Sequence, residues 1–279
     1  MDENKILYAD NLVIGNDGRA LTKKMSFRIG VGECILLCGA NGIGKSTLLR
    51  TLARVIPAVS GEIGMRRDGA GEAEDRRNGR RTSDDLQTDG AAGTEERQKG
   101  LPVRVILVPA RIPKVPGFSV TDFVATSCYR ESDWLGRLPA KIRSRILETL
   151  ETLGIGHLAA RDISSLSDGE FQKAAIATAL LQQAEVILLD EPTAFLDVDS
   201  RESALCTLRE VALRKQVSII FSSHDIHTAA KYCTRVFGMQ GGDERGLAEL
   251  IDTGPGCTRE QRDAVFSRCF RYWGEDSEN

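Results

Sequence analysis

The run ECILLCGANGIGKSTLLRTL, Glu33 to Leu52, constrains the fold more than any other part of the chain. An unbroken apolar stretch of strand length passes into a glycine-rich loop and then into residues with helical apolar spacing. The run therefore has to be a buried strand, a loop and a helix, in that order. Within it, GANGIGKS fits G-x-x-x-x-G-K-[ST] at Gly39, Gly44, Lys45 and Ser46. A loop of this form wraps phosphate oxygens in backbone N–H groups, with Lys45 neutralising the outer phosphates and Ser46 binding Mg²⁺. Asn41, Gly42 and Thr47 belong to the same cradle. Leu48, Leu49, Leu52 and Val55 continue the helical spacing until Pro57.

The rest of the chain repeats the alternation. KKMSFRIG alternates apolar residues at Met25, Phe27 and Ile29, and VRVILV, EVILLD, VSIIFS and RVFGM read as further strands. Between them lie helices from about Val120, over PAKIRSRILETLETLG with Ile142, Ile146, Leu150 and Leu153 on one stripe, and from Ser167, Asp199 and Ile226. Apolar strands alternating with helices predict an α/β fold around a parallel sheet. From about Met65 to Gly100 the composition turns to Gly, Arg, Asp, Glu, Thr and Ser. Such a stretch buries too little surface to offset its ordering entropy, so a disordered surface insertion is expected over about 66–100.

Composition narrows the function classes. With 37 basic against 40 acidic residues, the net charge of −3 lacks the basic footprint of a nucleic-acid binder. The N-terminal MDENKILYAD lacks the order of a secretion signal, and the longest apolar runs are of strand length, so a cytosolic protein is expected. Seven scattered cysteines with no C-x-x-C pair fit a reducing compartment. Cys34 and Cys38 share one face of an apolar strand and read as small core residues.

Three further stretches carry chemistry. VILLDE ends a buried strand with Asp190, placed for the Mg²⁺ shell, and Glu191, placed to orient a water. An ordinary acidic strand end would not continue as EPTAFLD, with a proline turn and Asp197. SIIFSSHD ends another strand with His224, which can reach a terminal phosphate, while His227 reads as an exposed histidine. SSLSDGEFQK has the form of a helix start, with Ser167 and Asp168 as caps and Gly169 permitting close approach. It is a second anion site, more than a hundred residues from the first.

In this order, the phosphate loop, LSDGE, ILLDEP, FLD and SHD resemble the ATP-binding cassette (ABC) family. The resemblance implies a P-loop NTPase of ABC type: a mostly parallel sheet core with an antiparallel β subdomain and a helical subdomain. It also implies an ATPase domain over 1–240, its helical subdomain over about 119–183, and a C-terminal tail over 241–279. PGFSVTDFV, DWLGRL and the stretch from Ser164 to Asp197 are most similar to importer ATPases for iron–siderophore, heme or cobalamin complexes. By this resemblance two copies meet head to tail, which explains the second anion site. Ser167 and Gly169 of one copy face ATP held by the other, with Asp197 beside it. The catalytic set implied is Glu191, His224 and Lys45, with Ser46 and Asp190 on Mg²⁺. The implied partners are integral membrane permease subunits, a second copy of the chain and, indirectly, a substrate-binding protein, with no nucleic acid. The implied location is peripheral, at the cytoplasmic face of the inner membrane.

Two positions depart from the family pattern. Ala110 stands where a glutamine is usual, with Arg111 or a water-bearing backbone group as the candidate substitute. Asn16 stands near the place of an adenine-stacking aromatic, with Tyr8 as the candidate replacement. Base–aromatic stacking contributes about 1–3 kcal/mol in single-strand nucleic-acid sites, so weaker adenine selectivity is expected. Two other readings compete. A soluble cassette acting on DNA or ribosomes would carry long coiled-coil insertions or two cassettes. A low-turnover regulatory nucleotide-binding subunit would draw on Ala110 and Asn16, against the intact Glu191 and His224.

Overall fold

The computed structural model describes residues 5–67, 103–241 and 246–270. The segment expected to be a disordered insertion lies, beyond its first two residues, outside the described residues. The N-terminal part runs β1 (Lys5–Val13), β2 (Gly15–Asn16), β3 (Arg19–Ala20), β4 (Met25–Ile29), β5 (Cys34–Gly39), α1 (Lys45–Leu52) and β6 (Ser60–Arg67). After the insertion come β7 (Val105–Val108), α2 (Val120–Ala125), α3 (Ala140–Thr152), α4 (Asp168–Leu181), β8 (Val186–Leu189) and α5 (Val198–Lys215). The chain closes with β9 (Ser218–Ser222), α6 (Ile226–Ala229), β10 (Arg235–Gln240), β11 (Glu249–Asp252) and α7 (Arg259–Cys269).

Six strands form the main sheet in the order β11-β10-β5-β9-β8-β7. All adjacent pairs are parallel except the last at the β11 edge, which is antiparallel. β5, β8 and β9 are buried along their whole lengths, as strands covered on both faces must be. The period of two then sends alternate residues into two different cores. Cys34, Leu36 and Cys38 of β5 join Ile187, Leu189, Ile219 and Phe221 against the helices. Ile35 and Leu37 join Leu188, Ile220 and Phe237 on the opposite face.

That second face is covered by α1 and by a separate antiparallel sheet, β4-β1-β6. β4 shows the expected alternation, with Met25, Phe27 and Ile29 buried. β2 and β3 form a small hairpin whose turn, Asp17–Gly18, has both residues at positive φ, as a two-residue hairpin requires. Opposite, α2, α3 and α4 pack together as a helical layer, with Ile142, Ile146, Leu150 and Leu153 all buried.

One expectation is corrected. α1 stops at Leu52 rather than running to Pro57, and Val55 is 62% exposed. Arg54 takes a left-handed backbone (φ 57), and the N–H groups of Val55 and Arg54 donate to the carbonyls of Arg50 and Thr51. This closes the helix in a Schellman arrangement without the usual glycine. The described part of the expected C-terminal tail, 246–270, carries β11 and α7, and both pack on the main sheet. Arg235 of β10 holds β11 in place. Its buried guanidinium donates to Asp252 at 2.7 Å, to Glu33 at 2.8 Å and to the carbonyl of Arg28 at 2.7 Å.

Candidate functional site

The parallel strands end along one edge of the sheet, and the loops that leave them there hold most of the site. β5 passes directly into the phosphate loop. Gly39 has φ 145 and Gly44 φ 113, both outside the range that side-chain-bearing residues favour. A Cβ on Gly39 would also lie 2.5 Å from the carbonyl oxygen of Met239 in β10. The backbone can therefore curl this tightly only with glycine. Asn41 and Gly42 are exposed at the crest, and Thr47 is half-buried in the first turn of α1.

Lys45 is buried, and its ammonium donates to the carbonyls of Gly39 at 2.9 Å and Ala40 at 3.1 Å. Its charge is thus held inside the loop. Burial pushes its pKa below the ordinary lysine value, while the carboxylates of Glu191 and Asp190 pull the other way. Ser46, on the next residue, donates its hydroxyl to Oδ1 of Asp190 at 3.0 Å. A hydroxyl and a carboxylate 144 residues apart in sequence thereby share one point. These are hard oxygen donors, the set that suits Mg²⁺.

Sequence reasoning missed Ser222. It ends β9 next to Asp190 at the end of β8, is fully buried, and donates to Asp190 Oδ1 at 3.0 Å while accepting the N–H of Glu191 at 2.8 Å. One serine therefore sets both acidic residues. Its only sequence signal is its place at the carboxyl end of an apolar strand, which many structural serines share.

Glu191 itself has a left-handed backbone (φ 50), uncommon outside glycine. The turn brings its side chain to His224, whose Nε2 lies 2.6 Å from Oε1 of Glu191 in hydrogen-bond contact. The structure thus brings Ser46 to Asp190 and Glu191 to His224. His227 is exposed, and no cluster of three or more His, Cys, Asp or Glu among the described residues could hold a metal.

The helix start expected to form a second anion site belongs to another element, α4. Ser167 caps α4 and closes a capping box with Glu170: its hydroxyl accepts the N–H of Glu170 at 3.2 Å, and Oε2 of Glu170 accepts the N–H of Ser167 at 2.8 Å. Asp168 pairs with Lys114 at 2.7 Å, so the serine rather than the aspartate is the cap. Gly169 is buried, with room for a Cβ only 3.4 Å from Cβ of Ser200. Asp197 caps α5 through Ser200 at 2.8 Å. Ser167 is exposed, open to a ligand from outside the chain.

Tyr8, the candidate replacement for an aromatic near Asn16, is engaged within the β1–β6 ladder. It pairs with Gly64 across β1 and β6, where a Cβ would overlap its ring, and its hydroxyl donates to Glu62 at 3.2 Å. Asn16 instead faces Arg19 across the β2–β3 hairpin. Ala110 lines a cavity of about 490 Å³ together with Arg111, Lys114, Asp168, Glu191 and Phe195.

Comparison with known proteins agrees with this geometry. The family described as ABC transporter matches residues 22–194. The chain is 31% identical over 231 residues to the phosphonates import ATP-binding protein PhnC of Trichormus variabilis, covering 82% of this chain and 86% of that protein. It is 28% identical over 236 residues to the petrobactin import ATP-binding protein FpuD of Bacillus anthracis, covering 85% of this chain and 78% of that protein. Its fold matches a nucleotide-free ATP-binding cassette from an ABC transporter with a TM-score of 0.67 at 19% identity, covering 94% of this chain and 95% of that one. A phosphate loop whose serine meets the strand-end aspartate, within a fold and sequence shared this widely, has one reading: the chain belongs to the ABC transporter family, as one of its ATPase subunits.

Proposed function

We propose that this chain binds and hydrolyses ATP to energise a membrane importer, working as a head-to-tail pair with integral permease subunits. The observation that carries the proposal is the 2.6 Å contact of His224 with Glu191, one residue after the Asp190 carboxylate that accepts from Ser46. Glu191 takes a proton from the attacking water, and His224 holds its carboxylate in position. Lys45, Gly39, Asn41, Gly42, Gly44, Ser46 and Thr47 cradle the phosphates, and Ser46 and Asp190 hold Mg²⁺. When bound, Mg²⁺ neutralises charge on the phosphate oxygens. Ser167, Gly169 and Asp197 face the nucleotide of the partner copy.

Iron–siderophore complexes are the first substrate class, supported by the petrobactin import and achromobactin transport relatives. Heme and cobalamin follow on the sequence resemblance. Phosphonates are the second reading, favoured by the 31% identity to PhnC. No helix among the described residues is long and apolar enough to cross a membrane, and the work of crossing falls to the permease. Peripheral binding at the cytoplasmic face of the inner membrane follows from that division. Glu191→Gln is expected to keep ATP binding and lower turnover about a hundredfold or more. Tagged Glu191→Gln protein, captured with ATP and Mg²⁺ from detergent-solubilised membranes, should bring down a polytopic permease. Normal turnover in the variant refutes the base assignment, and recovery of ribosomal or DNA-bound proteins alone refutes the importer.

A further inference from the structure

The loop from Glu191 to Asp197 carries one expected site residue at each end, and the structure fastens both ends. At the first, the N–H of Glu191 donates to Ser222 at 2.8 Å. At the second, Arg201 donates to the carbonyl of Leu196 at 3.2 Å and pairs with Asp225 at 2.7 Å, while Asp197 caps α5. The middle is different. Phe195 is 55% exposed, an unusual state for a phenylalanine four residues from a strained glutamate backbone. What covers it is Arg111, from the loop after β7, with its guanidinium carbon 4.8 Å from the ring centroid.

We propose that Arg111 is a positioning residue for Glu191, acting through Phe195. This rests on the reading of Glu191 as the base. The N–H of Asp190 donates to the carbonyl of Val108 at 3.2 Å, which sets the exit of β7 beside the exit of β8. Arg111 and Glu191 consequently line one cavity, with Pro192, Phe195 and Leu196 between them. Ala110 cannot reach across this space, because its side chain is a single methyl group. Lys114 makes a comparable contact with Phe171 at 5.4 Å, but its ammonium is already engaged by Asp168 at 2.7 Å and the carbonyl of Leu166 at 2.8 Å. Among the described residues Arg111 has no such hydrogen bond or ion pair, so the stack on Phe195 is its principal contact. A guanidinium stacks flat on a ring in a way that an ammonium reproduces only partly. Arg111 thereby limits how far the centre of the loop swings, and with it the direction of the Glu191 carboxylate.

The test is steady-state ATP hydrolysis by the full chain carrying Arg111→Ala, Arg111→Lys, Phe195→Ala, Phe195→Leu and the double Arg111→Ala/Phe195→Ala, with nucleotide affinity and thermal midpoint measured alongside. Arg111→Ala is expected to lower kcat roughly fivefold, the effect of losing a partly exposed cation–π contact of about 1 kcal/mol. KM for ATP, affinity and thermal midpoint stay near the parent values. Arg111→Lys recovers part of the rate, and the double variant falls no further than Arg111→Ala alone, since both act through one contact. Should Phe195→Ala unfold, Phe195→Leu supplies the same comparison. Unchanged kcat in Arg111→Ala, a rise in KM with kcat retained, or additive losses in the double variant overturn the proposal. These outcomes are separable from failure of the base assignment, which shows instead as normal turnover in Glu191→Gln.

Discussion

Ser222 shows how much of this site depends on a residue with no charge. Its hydroxyl is one of two that donate to Asp190 Oδ1, and its oxygen accepts the N–H that fixes the left-handed turn at Glu191. Ser222→Ala removes both contacts and leaves a part-buried N–H without its partner, which costs about 1 kcal/mol. Turnover is expected to fall about tenfold with a KM shift for Mg²⁺, whereas Ser223→Ala, whose hydroxyl bonds locally to Asp225, keeps near-parental kinetics. A magnesium titration of both variants decides this; equal behaviour of the two would place Ser222 outside the site. Cys34 and Cys38 belong to the opposite case. Both are buried, and burial pushes the Cys34 thiol up to about 12, so it stays a neutral core group.

Among the elements, β11 and α7 depend most on one side chain. α7 buries Val265 and Phe266 and packs Cys269 beside them, and β11 is an edge strand of four residues that adds a partly buried Ile251, so each brings little burial of its own. Arg235, linking Asp252 of β11 to Glu33 before β5, supplies the rest. Truncating one partner of a buried charge cluster strands the others, and Arg235→Ala is expected to lower stability by about 3–5 kcal/mol in urea unfolding. The exposed pair Lys231–Glu202 gives the contrast: Lys231→Ala should shift stability by about 0.5 kcal/mol or less. A small effect at Arg235 would show that β11 is held by its backbone ladder alone.

At the scale of the whole molecule, acid sensitivity follows from the caps. Asp162 is held below the usual carboxylate range by Ser164 and the N–H of Gly117, Glu170 by Ser167, and Asp197 by Ser200. For Asp225, burial acts in the opposite direction and is outweighed by the N–H of Thr228 and by Arg201. A depressed folded pKa means that the unfolded chain binds protons first. The stabilisation is therefore complete above the unfolded values of about 4 and is lost as pH falls through the folded ones. Urea midpoints should be level from pH 7 to 5 and drop below about pH 4; a level midpoint down to pH 3 would contradict this. The sequence by itself determined the parallel strands, the stripe of α3, the strand–loop–helix around the phosphate loop and the strand-end places of Asp190, Glu191 and His224, because periodicity and glycine spacing are local properties. It did not show that α1 closes at Arg54, since no glycine marks the left-handed turn, or that β11 and α7 join the sheet, since α7 buries two residues in eleven. Those features, with Ser222 between two acids and Arg111 over Phe195, were decided by the tertiary structure, because they depend on which strand ends lie side by side.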